Sequence, residues 1–257
     1  YNNNSISYDQ LLSVTEKQGF VHVVDAFQIV NGSSVPQLFY EKAYSGTSKR
    51  ITLTDELLKL KESIQFSNFE SEVDARWNLV ETAWNLEINP NLLEVKIDDE
   101  LQTLYLESDV MRRKDITSAR ASLNGYQKGK CFYSFQDISI NSGDNSLCAV
   151  DHFFPHVHKL HLNSIGSNVN GVWNLVLADK FVNLEKSAKI PELKYLDRLY
   201  KRNEFYIASK HPLGETIVNQ TGKTAKERRS FLQRQYDLSL NLSIQKWKPI
   251  IELEPLF

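Results

Sequence analysis

Two short apolar runs end in residues able to bind a metal or move a proton. One is Cys148-Ala149-Val150-Asp151-His152-Phe153-Phe154-Pro155; the other is Asn174-Leu175-Val176-Leu177-Ala178, followed by Asp179, Asn183 and Lys186. His152 is the natural base of the set. An imidazole with an unperturbed pKa of about 6.5 is mostly neutral at cellular pH, so it can accept a proton and return it to solvent. Asp151 beside it offers a hard oxygen to a divalent cation. Neighbours on a strand point to opposite faces, so the two serve one centre only where the strand is distorted or stops.

The loop between the runs adds His156, His158 and His161. His156 is expected near the site, binding phosphate or a leaving group, with His158 and His161 exposed. A second metal centre would need a fourth ligand, for which Cys148 is the only soft candidate nearby, and a loop lacks the frame that preorganises such ligands. No dinucleotide-binding glycine motif, phosphate-binding loop, nucleophile elbow or zinc-protease signature is present. Nucleotide-dependent and serine-type chemistry therefore have no foothold.

The elements that must position these residues come from a chain of 257 residues, 41% of them hydrophobic, which is enough for a real core. No apolar run approaches bilayer length, and the polar start Tyr1-Asn2-Asn3-Asn4-Ser5 lacks the regions of a signal peptide. A soluble, cytoplasmic protein with no membrane partner is expected, and the missing initiator Met points to trimming or a fragment. Two cysteines, Cys131 and Cys148, are too few for a disulfide framework and suit a reducing compartment. The net charge of −2 conceals a division: residues 1–110 hold 8 Lys+Arg against 18 Asp+Glu, a charge of −10, and residues 111–257 hold 22 against 14, or +8. Local positive potential, rather than total charge, concentrates a polyanion. The same asymmetry suits two halves that dock on each other.

The expected organisation is an acidic region over 1–110 and a basic domain over 111–257, with the site in a core of about 131–190. In the first, residues 20–24 read as a strand holding His22 at a core or edge position, and Asn31-Gly32-Ser33-Ser34 as a turn. Thr54 is placed to cap a helix with Leu57, Leu58, Leu60 and Ile64 on one side. Ser71-Glu72-Val73-Asp74 resembles a capping box, and Val73, Trp77, Val80 and Trp84 predict a buried stripe rather than a base-stacking platform. Residues 94–97 and 101–106 predict a hairpin around Asp98-Asp99-Glu100, whose diverging carboxylates suit a solvated tip rather than a cation cage.

In the second, a helix is expected from 115 to about 123, closed by Asn124-Gly125. Arg112, Arg113, Lys114, Arg120, Lys128 and Lys130 make a basic approach, with Arg120 and Lys128 as substrate contacts; solvated surface explains the cluster equally well. Beyond Pro191, Leu193, Leu196, Leu199 and Tyr200 form the apolar side of a helix, opposite Lys194, Arg198, Lys201 and Arg202. A last helix is expected from about 225 to 247. Residues 186–234 hold 12 Lys+Arg against 5 Asp+Glu, a charge of +7 that favours a surface tracking a nucleic-acid backbone.

Asp151-His152-x-x-Pro155, Asn174-Leu175-Val176-Leu177-Ala178, Asn183 and Lys186-Ser187 together resemble the HNH endonuclease family. In that family a ββα-metal module ends one strand in a His and takes a second ligand from the following helix. The likeness covers about residues 131–190. The nine positions from Asn174 to Asn183 repeat the family's spacing between the Asn that opens the second strand and the residue that ends the motif. The resemblance implies a strand end that brings Asp151 and His152 together, with Asp151 and Asn183 as metal ligands. It also implies that Asn174 restrains the loop carrying His152 and that Lys186 contacts substrate phosphate. An ion with so few protein ligands keeps waters and takes phosphate oxygens, which favours Mg²⁺ or Mn²⁺; a His-bearing site also admits Zn²⁺ or Ni²⁺.

Many members of the family carry two Cys-x-x-Cys pairs around a structural zinc. Here Cys131 stands with Ser134, Asp179 and Val182, so no structural zinc is expected. Packing of Phe132, Phe135, Ile138, Val172, Trp173 and Leu175 should replace it.

The expected fold is α+β: a mostly helical N-terminal region with a β-hairpin, then a ββα-metal module flanked by C-terminal helices. The expected activity is metal-dependent hydrolysis of DNA phosphodiester bonds, with RNA as a second candidate substrate. Its setting, in restriction or anti-phage defence or as the cutting part of a larger protein or ribonucleoprotein assembly, follows from the resemblance alone. The alternatives are a catalytically inactive nucleic-acid-binding protein with a vestigial HNH fold, and a scaffold whose acidic half binds a protein.

Overall fold

A computed structural model describes residues 6–19, 23–30, 32–45, 48–62, 66–85, 95–98, 100, 103–107, 113–164, 166–243 and 245–255. The expected strand over 20–24 falls largely outside these residues, as do His22, Asn31, Ile64, Asp99 and Arg112. Two units divide at Tyr1–Phe66 and Ser67–Phe257 rather than near 110. The change of charge at 110 is not a change of unit, because the strand after it pairs with the strand before it.

In the first unit, α1 (Tyr8–Gln18) starts from a reciprocal cap: Ser7 Oγ accepts from Gln10 N at 3.2 Å and Gln10 Oε1 accepts from Ser7 N at 2.8 Å. Strands β1 (Ile29–Val30) and β2 (Ser33–Ser34) pair antiparallel around Gly32 at φ 78°, so the second half of the predicted turn, Ser33-Ser34, is strand. Strands β3 (Tyr40–Ser45) and β4 (Ser48–Leu53) pair antiparallel, Tyr40 opposite Leu53 and Ser45 opposite Ser48. The sequence does not predict this second hairpin, and the region holds more strand than the mostly helical reading expects. The physical reason is exposure: among the residues before Ala75 whose side chains are described, none is buried, so the alternation that marks a half-buried strand is missing. Thr54 precedes α2 (Asp55–Lys59), although its hydroxyl donates to Leu38 O at 2.6 Å instead of accepting from the helix.

The second unit takes up α3 (Phe66–Asn85), which opens ahead of the Ser71 capping box and leaves Ser71 inside the helix. Its buried side is Ala75 and Leu79, whereas Val73 and Trp77 are 63% and 54% exposed. Val73 and Trp77 thus lie outside, about 200° round the helix from Ala75 and Leu79, while Val80 is half-buried and the Trp84 side chain falls outside the described residues. Gly125 faces this helix beside the long side chains of Glu72 and Arg76: a Cβ there would lie 2.8 Å from Glu72 Oε1, which itself accepts from Arg76 at 2.7 Å.

Strands β5 (Val95–Asp98), β6 (Thr103–Glu107) and β7 (Arg113–Ser118) form an antiparallel sheet. The first two are the predicted hairpin, with Asp98 Oδ1 accepting from Glu100 N at 2.9 Å at the tip. The third replaces the start of the helix expected from 115, because pairing with β6 overrides local helical spacing. Helix α4 (Ala119–Gln127) therefore begins late and ends late. Lys128 and Gly129, at φ 54° and 74°, close it in place of Asn124-Gly125, and Asn124 Oδ1 accepts from Gly129 N at 2.7 Å.

Strands β8 (Ala149–His152) and β9 (Leu175–Ala178) pair antiparallel, Ala149 opposite Ala178 and His152 opposite Leu175. Between them lie a 3₁₀ turn over His156–His158 and α5 (Lys159–Ser164). Asp179 then caps α6 (Lys180–Lys186), its Oδ1 accepting from Phe181 N at 2.8 Å and Val182 N at 3.2 Å. Strand β10 (Ile190–Pro191), α7 (Leu193–Ala208), α8 (Leu213–Thr221), α9 (Ala225–Leu242) and β11 (Lys246–Trp247) complete an α+β protein. Helix α9 stops short of Trp247, which is buried where β11 runs parallel to β10.

Gln127 acts as an extra rung on β9. Its Nε2 donates to Leu177 O at 2.7 Å and Lys130 O at 2.8 Å, and its Oε1 accepts from Leu177 N at 2.8 Å. Gln127→Ala is expected to cost about 2–4 kcal/mol, since Leu177 N and Lys130 O lose this partner while Leu177 O keeps its bond from Phe132 N; urea unfolding measures it, and a cost under about 1 kcal/mol would mean that water replaces the amide.

His211 supplies a pH dependence of stability. It is 3% exposed, its Nδ1 accepts from Leu213 N at 3.1 Å, and burial, with the charges of Arg76 and Arg202, pushes its pKa down to about 3. The unfolded chain binds the proton first, with a pKa of about 6.5. Stability is therefore complete above about pH 6.5 and falls as the pH drops toward 3, by about 2 kcal/mol at pH 5. Urea midpoints of wild type and His211→Gln across this range test it: the slope should be shallower in the variant.

Candidate functional site

Strand β8 ends at His152, and there Asp151, His152, His156, Asn183 and Lys186 line one open cleft of about 460 Å³. The strand end lets two adjacent side chains share the cleft, while Asn183 and Lys186 reach it from the last turns of α6. The His152 and His156 rings are 5.5 Å apart at 57°.

Asn174 stands behind this wall, fully buried. Its Oδ1 accepts from Phe154 N at 2.8 Å, and its Nδ2 donates to Phe154 O at 3.1 Å and Val169 O at 2.9 Å. One carboxamide thus pins the segment that leaves His152 to the loop that enters β9. Its backbone adds a fourth tie, because Phe153 N donates to Asn174 O at 2.8 Å.

Lys186 departs from expectation. It is fully buried, and its ammonium lies 3.0 Å and 2.9 Å from the two oxygens of Asp151 and 2.7 Å from the carbonyl oxygen of His152. It braces the strand end instead of projecting toward a phosphate. Tyr133 completes the cluster: its hydroxyl donates to Asp151 Oδ2 at 2.6 Å, and burial, then the Asp151 charge, raises its pKa well above the ordinary range. Nothing in the local sequence marks Tyr133 for this contact.

His158 is also a correction, since it is 7% exposed rather than on the surface; burial, and then the charges of His161 and Lys186, lower its pKa. His161 is exposed. Arg120 and Lys128 do not line the cleft. Arg120 Nε donates to Cys148 O at 2.8 Å, and Lys128 occupies the left-handed turn after α4.

No protein-family model matches the chain, and neither a curated protein nor a solved structure matches it. The site's chemistry therefore rests on its own geometry. Among the described residues, no three His, Cys, Asp or Glu side chains group to hold a metal. A hard divalent ion here would draw on Asp151 and the amide oxygen of Asn183, with water and substrate oxygens filling its shell. That donor set fits Mg²⁺ or Mn²⁺ in kind, although both oxygens of Asp151 are engaged by Lys186 and Tyr133.

The four positions compared with zinc pairs are closed by other means. Cys131 is buried and its Sγ accepts from Asp179 N at 3.3 Å; Ser134 and Val182 are buried as well. Phe132, Phe135, Ile138, Val172, Trp173 and Leu175 are all buried. EDTA is expected to leave the thermal midpoint and far-UV circular dichroism unchanged, whereas a zinc-dependent fold would collapse with the chelator.

Much of the basic charge of the C-terminal helices is used inside the fold. Arg202 is 1% exposed and donates to Val172 O at 3.2 Å and Trp173 O at 2.9 Å. Arg198 donates to Phe132 O at 2.5 Å and pairs with Glu252, and Arg228 grips Glu204 through two bonds of 2.6 Å. Lys223, Lys226, Arg229 and Arg234 remain on exposed positions.

Proposed function

We propose that the chain is a metal-dependent endonuclease of the HNH type, acting on DNA phosphodiester bonds. The observation that carries this reading is the convergence of Asp151, His152, Asn183 and Lys186 on one open cleft at the end of an antiparallel strand pair followed by a helix. His152 takes the proton from the attacking water and passes it to solvent. Asn174 keeps the backbone beyond His152 fixed, so the imidazole is held on a rigid strand end rather than a loose loop. Asp151 and Asn183 would hold the divalent ion, which when bound supplies positive charge for the phosphorane and the leaving oxygen. His156, beside His152, is placed for the phosphate or the leaving group. Setting, whether restriction, anti-phage defence or a larger assembly, follows only from the likeness to the family.

The engagement of Asp151 by Lys186 and Tyr133 favours a second reading, a nucleic-acid-binding protein that does not cut. Incubation of supercoiled plasmid with Mg²⁺ or Mn²⁺ separates the two. Metal-dependent nicking supports the nuclease; a gel shift without nicking supports the binder.

A further inference from the structure

Asp151 already has a cation. The Lys186 ammonium lies 3.0 Å and 2.9 Å from its two oxygens, 2.7 Å from the His152 carbonyl oxygen and 5.9 Å from the centre of the Tyr133 ring, with no part of the residue exposed. A divalent ion bound to the same carboxylate would meet this ammonium across a few ångströms of poorly screened space, so one of the two must yield. Lys186 is on the last turn of α6 and forms part of the cleft wall, and its flexible four-carbon arm can carry the charge from the carboxylate to the cleft mouth. The next residue, Ser187, is held at φ 47° and ψ −128°, a backbone state disfavoured for any residue with a side chain, and it also lines the cleft. The lysine is thus held in the wall rather than resting there by local preference.

We propose that Lys186 is the built-in counter-ion of Asp151 in the free protein, and that a nucleic-acid phosphate entering the cleft draws the ammonium away and opens the carboxylate to a divalent ion. Polyanion and metal then bind as mutually enabling partners. This deepens the nuclease reading and rests on it. In the free protein the apparent metal affinity is lowered by the fraction of chains in which the carboxylate is open. Linkage requires that DNA strengthen metal binding by the same factor by which metal strengthens DNA binding.

The test uses the full chain carrying His152→Ala, so that DNA stays intact; the carbonyl that accepts from Lys186 is backbone and survives the change. Mn²⁺ binding is read by the electron paramagnetic resonance of the free ion, with and without a short DNA duplex, and DNA binding by fluorescence anisotropy with and without Mn²⁺. Asp151→Asn in the same background sets the baseline for general screening of DNA by Mn²⁺. The expected result is a reciprocal gain of about tenfold or more over that baseline. Lys186→Met, if folded by circular dichroism, should bind Mn²⁺ tightly without DNA and gain less than about twofold from it; if it does not fold, the reciprocal measurement decides alone. DNA and Mn²⁺ binding that are independent or mutually weakening overturn the gating by Lys186 and leave the nuclease reading intact. Failure of DNA to bind at low salt, or of Mn²⁺ to bind even with DNA, overturns both.

Discussion

His152→Ala is expected to slow metal-dependent nicking of supercoiled plasmid by about 10²–10⁴-fold, the usual share of a positioned general base. The fold should survive. His152 is 9% exposed at the wall of a cleft, so truncation enlarges an open space instead of leaving a sealed void. Asn174 and the His152 carbonyl keep their bonds, because those involve backbone and a different side chain. Added imidazole should restore part of the rate in the variant and none in a variant lacking the metal ligand, Asp151→Asn. Cleavage at the wild-type rate by a folded His152→Ala protein would remove the base from the mechanism, whatever else lines the cleft.

Lys186→Met should be the most destabilising single change in the site, by about 3–5 kcal/mol in urea unfolding. The methionine side chain fills much of the space, but Asp151, 7% exposed, keeps a charge that, among the described residues, the Tyr133 hydroxyl alone then addresses. The cost comes from a stranded carboxylate more than from a lost attraction, and a second substitution separates the two. Asp151→Asn combined with Lys186→Met should recover part of the loss, because a neutral amide is far cheaper to bury than an unpaired anion. Equal stabilities for the single and double variants would show instead that the lysine's packing, not its charge, matters.

The strands and helix around the cleft are legible in the sequence because each carries a local mark. Cys148 to Val150 and Leu175 to Ala178 form short apolar runs, and the Asp179 that caps α6 is a residue type suited to that place, although the helix itself is expected only from the family resemblance. The contacts that fix the site's electrostatics carry no such mark. Tyr133 reaches Asp151 across 18 positions, Lys186 reaches it across 35, and Gln127 joins Leu177 across 50. Tertiary packing alone decides whether a lysine near a motif faces solvent or a buried anion. The same is true of α7, where helical spacing cannot tell the buried Arg202 from the exposed Lys201. It is true again of α3, where the larger side chains of Val73 and Trp77 are left outside and Ala75 goes in.

Both thiols of the chain are sealed away. Cys131 and Cys148 are free thiols with no exposed surface, and burial raises the Cys148 pKa to about 11. Almost no thiolate exists there at neutral pH, and no reagent reaches either atom while the core is shut. Maleimide uptake by the native protein therefore keeps time with transient opening of the core, and makes these two residues internal reporters of how often the surroundings of the cleft breathe.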